Sequence, residues 1–171
     1  EQAVSLFRQA IQLNADKSEM FYWTSVDKAS SVGTKMAQEL AFHYKTMRNY
    51  DKAYLFCKEV LQKNPNDVKW LAACAETEVC RGKEKDALLT YQKVLSLDVN
   101  HLAANIFVGN YYYLMAEQEK QQLMRDYKKI SSPTRMQYAR YKDGLSKLMT
   151  DGYGKAKEYL QNVIRQFPSA E

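Results

Sequence analysis

Two histidines and three cysteines are the side chains of this 171-residue chain best suited to nucleophilic or metal chemistry. His43 stands beside Phe42 and Tyr44, and His101 follows Asn100 in a stretch that reads as a turn. Neither lies at a motif distance from a Cys or Ser nucleophile, and the chain has no G-x-G-x-x-G, P-loop or H-E-x-x-H pattern. Acid–base catalysis needs polar groups converging in a dry cleft, so both histidines are assigned to surface or packing roles. Cys57, Cys74 and Cys80 lack the paired C-x2-C spacing of a zinc site, and Cys74 and Cys80 fall on different faces of a helix. No catalytic residue, metal or cofactor is expected, and the chain is not expected to be an enzyme. An odd number of thiols, two of them at packing positions, points to a reducing, cytoplasmic compartment. The chain opens on Glu1 rather than Met, so a trimmed leader would instead make it periplasmic or secreted.

A second chemistry is carried by charge. The net charge is +5, and between Glu117 and Lys147 eight bases face four acids. The bases are Lys120, Arg125, Lys128, Lys129, Arg135, Arg140, Lys142 and Lys147, interleaved with Tyr127, Tyr138 and Tyr141. Cations with aromatic rings can hold single-stranded nucleic acid. Here Tyr138 and Tyr141 share a helical stripe with Leu145 and Leu148, which predicts a core role. An RNA-binding or anionic-surface adaptor built on 120–147 is therefore the alternative reading, and nucleic acid is not the expected partner.

Few breakers interrupt the elements that must position these groups: 6 Gly and 3 Pro, with 46% hydrophobic and 26% charged residues. No apolar run approaches the roughly 18 residues of a membrane span. One pattern recurs. Ala53, Cys57, Val60 and Pro65 return 34 residues later as Ala87, Tyr91, Val94 and Val99. Ala156, Leu160, Val163 and Pro168 repeat it, as do Ala3, Phe7, Ala10 and Ala15. A small residue, then larger ones four and seven positions on, make one close-packing helical face that must be buried against its own copies.

Each full repeat reads as two helices. One unit runs from Thr34 to about Arg48 and from Asp51 to Lys63. The next runs from Val68 to Cys80, stops at Arg81-Gly82, and continues from Asp86 to Leu97, with Asp67 as a cap. First-helix positions Ala37, Leu40, Ala41 and Tyr44, then Leu71, Cys74, Ala75 and Glu78, then Asn105, Val108, Gly109 and Tyr112 follow in register. With the second-helix pattern and Pro65, these resemble the tetratricopeptide-repeat (TPR) family; the family's large first residue and Glu78 in place of Tyr depart from it. The resemblance implies an all-α, TPR-like solenoid of helical hairpins in a right-handed superhelix.

Over 1–171 this gives a single TPR-like domain: 1–15 the second helix of a partial repeat, 16–33 an irregular insertion, 34–67 and 68–101 full repeats, and 102–171 an extended repeat. In 16–33, Phe21 and Trp23 are expected to fill the core. Between Tyr111 and Lys129 there is no Gly, Pro or Asn, which favours one long helix from Leu102 to about Ile130, roughly 40 Å long, over the alternative of a regular hairpin breaking near Glu117. An inserted helix over 133–150 follows, capped by Ser132 with Pro133 in its first turn and ended by Asp151-Gly152, before a last helix from Gly154 to Phe167.

In TPR-like arrays the first helices line a concave groove. Spacing i, i+3, i+4, i+7 selects Lys35, Gln38, Glu39 and Phe42, then Lys69, Ala72, Ala73 and Glu76, then Ala103, Ile106, Phe107 and Asn110. This face grades from charged to small to apolar and suits a peptide or partner protein. Some TPR members clamp a terminal carboxylate; Lys35 and Lys69 fit that scheme, but Ala72, Ala73 and Ala103 stand where polar groups are wanted, so such clamping is not expected. The resemblance thus implies a non-catalytic interaction or assembly scaffold. Apolar Phe7, Ile11 and Leu13 near an uncapped end add an expectation of self-association.

Overall fold

Short polar caps set where the helices start. A computed structural model describes residues 1–168, and among them are helices and turns but no strand. The chain divides into two compact units, 1–97 and 98–171. Positions 169–171, the end of the last expected repeat, lie outside the described residues.

The first unit holds α1 (Gln2–Leu13), α2 (Ala15–Ser25), α3 (Ser31–Thr46), α4 (Tyr50–Lys63), α5 (Val68–Cys80) and α6 (Glu84–Leu97). They pair in chain order, α1 with α2, α3 with α4 and α5 with α6; α1 also packs on α3, and α4 on α5. Asn14, Ser30, Asn49 and Asp67 each accept a backbone N–H three residues on, satisfying a donor the first helical turn leaves open. Gly82, at φ +71°, supplies the left-handed stop after α5.

The amino end differs from the sequence reading. The 16–33 segment is mostly a regular helix, α2, and it pairs with α1 as a hairpin. Asn14 alone turns the chain there, extended in backbone and capping α2 with its side chain, so no Gly or Pro marks the break. Of the two rings expected in the core, Phe21 is half exposed and Trp23 is half buried against Phe56, while Tyr22 is fully buried. Phe7 and Ile11 are buried within the unit, leaving only Leu13 of the expected self-association patch exposed.

Small residues let the hairpins close. Ala53 and Ala87 are fully buried, with Cys57, Val60, Tyr91 and Val94 beside them on the same faces. Burial pushes the Cys57 thiol up to about 11 and Cys74 to about 12, while Cys80 is exposed. An aromatic cluster fills the space between α2, α3 and α4: the Phe56 ring lies 5.5 Å from Tyr22, 5.4 Å from Trp23 and 5.9 Å from Tyr44.

A polar knot ties the same three helices. Glu19 accepts hydrogen bonds from the Tyr44 hydroxyl and, at 2.7 Å, from Lys52 Nζ. Burial alone would raise the Glu19 carboxyl, but the bonds from Lys52 and Tyr44 outweigh it and hold it below its ordinary value. A carboxyl held low in the fold stabilises above its unfolded pKa, and that contribution is lost as pH falls through the folded value. Glu19→Gln is therefore expected to flatten the loss of stability as pH falls below the ordinary carboxylate range, read from urea midpoints. An unchanged acid limb would count against the knot.

The second unit is one long hairpin. α7 (Leu102–Lys128) is uninterrupted and ends two residues short of the expected Ile130. His101 caps it, Nδ1 accepting the Ala104 N–H at 3.3 Å. α8 (Arg135–Lys147), a π-helical segment (Leu148–Tyr153) and α9 (Gly154–Gln166) then run on continuously in helical backbone. Ser132 and Pro133 do not open α8; Thr134 does, in a reciprocal capping box with Gln137. Asp151-Gly152 does not end the inserted helix either, because Gly152 serves packing: a Cβ there would lie 2.8 Å from the Ala116 Cβ. α8 has no fully buried residue, and Tyr138 is 49% exposed. Packing on α7 and the following π-helical segment, α8 keeps from the expected Tyr138–Leu148 stripe only half-buried Tyr141 and Leu145, ahead of buried Leu148.

Candidate functional site

α1, α3 and α5 each turn one face toward a concavity of about 700 Å³ in the first unit, within the range of ligand pockets. Ile11, Ala41 and Cys57, all buried, form its floor. Phe42, 70% exposed, and half-buried Trp70 and Ala73 form its walls. Phe42 is among the exposed large apolar side chains, so its place on the cleft wall is not explained by core packing.

The rim is charged but largely self-neutralised. Arg8 on α1 forks onto Glu39 on α3, Nε to Oε2 at 2.7 Å and the terminal nitrogen to Oε1 at 2.6 Å. Lys45 on α3 pairs with Glu76 on α5. Both pairs span 31 residues and link successive first helices. Lys35 and Lys69 are exposed and take part in no ion pair among the described residues.

None of the twelve groove residues is buried. Five of them, Gln38, Glu39, Phe42, Lys69 and Ala73, line the cleft. Lys35 borders a neighbouring hollow of about 340 Å³ with Arg8, Gln38 and Glu39. Ala72 and Glu76 lie on α5 outside the cleft lining, and Ala103, Ile106, Phe107 and Asn110 belong to α7 of the second unit. The expected gradient from charged to apolar is corrected in one respect: Glu39 and Glu76 are already neutralised by Arg8 and Lys45. Sequence reasoning missed Arg8, Ile11, Lys45 and Trp70. Opposite charges one near-repeat apart would have found the first and third; Ile11 was hidden because α1 was read as a second helix.

The eight bases of the alternative surface lie on α7, the 129–134 turn and α8. Lys120 pairs with Glu117 at 3.5 Å and Lys129 with Asp126 at 3.0 Å, and Arg125 donates to Gln122. Lys147 borders a hollow of about 650 Å³ between α7 and the π-helical segment. Lys128, Arg135, Arg140 and Lys142 are exposed. Tyr127 and Tyr141 stack on each other, 4.3 Å between ring centres and 9° between planes. His43 packs edge-on against Tyr44 and borders the cleft, and His101 is a cap. Among the described residues no three His, Cys, Asp or Glu side chains gather as a metal site, and no helix is long and apolar enough to cross a membrane.

No family model and no curated protein matches the chain. A solved structure does: a Bacteroides ovatus ATCC 8483 protein, provisionally named a protein binding protein, is 66% identical with a TM-score of 0.89. The match covers 99% of this chain and 82% of that one.

Proposed function

We propose that this chain, which belongs to the family of that Bacteroides ovatus protein, is a non-catalytic interaction and assembly scaffold that holds a segment of a partner protein in the α1–α3–α5 cleft. In this reading the hairpins of the first unit form a TPR-like solenoid, a right-handed superhelix in which α1, α3 and α5 are the first helices. Successive pairing of α1 with α2, α3 with α4 and α5 with α6 supports it, as do the fully buried Ala53 and Ala87 one repeat apart.

The observation that carries the function is Phe42, a large ring 70% exposed at the wall of an apolar-floored cleft. Apolar anchors that fill such a cleft dominate binding energy, and paired charges at the rim add specificity more than affinity. Because Arg8–Glu39 and Lys45–Glu76 hold the helices in place before a partner arrives, little ordering cost is left for binding. Peptides selected from a random display library on the whole chain test this. Phe42→Asp is expected to weaken the selected peptides about a hundredfold while the circular dichroism spectrum stays unchanged, since the side chain is not part of the core. Peptides that bind Phe42→Asp as well as the natural chain would refute the cleft as the site.

A further inference from the structure

We infer that the turn end of the second unit's hairpin is a separate docking site, and that what it takes is the surface of an anionic lipid bilayer. From Arg125 to Lys142 there are six bases (Arg125, Lys128, Lys129, Arg135, Arg140, Lys142) and one acid, Asp126. That surplus of five equals the net charge of the entire chain, +5, so the other residues balance to zero. The fold turns a linear cluster into a local one. α7 ends at Lys128 and α8 begins at Arg135, so Arg125, Lys128, Lys129 and Arg135 flank one short turn, with Arg140 and Lys142 further along α8, the latter beside Asp143. All ten residues from 131 to 140 are exposed. Asp126 is occupied by Lys129 and by the Gln122 amide, so among the described residues Lys128, Arg135 and Arg140 take part in no ion pair.

Apolar groups decide among anionic partners. Met136 is 65% exposed and Tyr138 is half exposed at the same end, with Ile130 half buried in the turn. Nucleic acid would use the rings for base stacking, but Tyr127 and Tyr141 cover each other's faces and Lys142 lies over Tyr138 at 5.7 Å. A bilayer uses both kinds of group at once: headgroup phosphates meet the cations, while Met136 and Tyr138 enter the boundary beneath them. A hairpin end is convex, and it meets a flat surface without needing a complementary cleft.

The test is co-sedimentation of the whole chain with phosphatidylcholine vesicles, with and without one-third phosphatidylglycerol. Binding is expected only with the anionic lipid and is expected to fall as salt rises. The pair Lys128→Glu and Lys129→Glu, both on exposed positions, is expected to lower partitioning at least roughly 25-fold, and Met136→Ser several-fold. Phe42→Asp is expected to bind vesicles normally, which separates this site from the cleft. Absence of binding to the anionic vesicles overturns the proposal. So does binding that the charge reversal leaves intact. Full competition by a single-stranded oligonucleotide or by polyglutamate, together with indifference to Met136→Ser, would assign the site to soluble polyanions and overturn the bilayer.

Discussion

Replacing Phe56 by Ala is expected to cost about 3–5 kcal/mol of stability. The side chain is 0% exposed and touches three rings from two other helices, Tyr22 and Trp23 on α2 and Tyr44 on α3. Losing it removes apolar burial and leaves a cavity whose walls are large, stiff rings that cannot collapse into the space. The same rings support the Glu19–Tyr44–Lys52 knot, so the loss extends to the hydrogen bonds that fix α2 against α3 and α4. Urea unfolding followed by helical circular dichroism measures it. Phe42→Ala is the matched control, since an exposed ring of the same kind is expected to change the midpoint little. Equal losses at the two positions would show that Phe56 is not the centre of this core.

The second large effect comes from adding atoms rather than removing them. Ala87→Trp places an indole where the native side chain is 0% exposed, on the face α6 presents to α5. Overpacking of this kind costs about 1–3 kcal/mol, and more where the backbone cannot shift. Leu89→Trp, two positions on at 66% exposure, adds a comparable ring to solvent and is expected to fall within about 0.5 kcal/mol of the natural chain. If Ala87→Trp were as stable as Leu89→Trp, the small residue would have no packing role, and the repeat pattern would lose its physical basis.

What the sequence made legible was periodicity. The helices over 50–63 and 68–80, the Asp67 cap, the Gly82 stop and the long helix from Leu102 all follow from spacing, breakers and caps that act within a few residues. The misreadings share a different cause. The α1–α2 turn is made by one extended Asn, a residue equally at home inside a loop or at a helix end, so the hairpin was invisible to a search for Gly and Pro. Gly152 was read as a stop because glycine often is one, yet here it lets Ala116 approach. Tyr138 was assigned to a core, but α8 packs chiefly on α7 and the following π-helical segment, and Tyr138 is left 49% exposed. Local chemistry fixes where helices can begin; how many neighbours a helix receives is a property of the whole fold.

The candidate site divides the same way. Phe42 and Ala73 were found because groove positions recur at helical spacing. Arg8 and Ile11 lie far away in sequence and entered only when α1 was placed beside α3. The neutralised rim, Glu39 by Arg8 and Glu76 by Lys45, is likewise a tertiary fact. It changes the expected ligand, because the charges that remain uncompensated on these helix faces are Lys35 and Lys69 rather than a mixed-sign row.

Amide chemical-shift mapping with a display-selected peptide tests the binding account most directly. The account predicts that the largest shifts fall on Ile11, Phe42, Ala73 and the Trp70 indole N–H, while residues 125–142 stay still. Shifts concentrated on α4 and α6, with the α1–α3–α5 cleft unmoved, would contradict it.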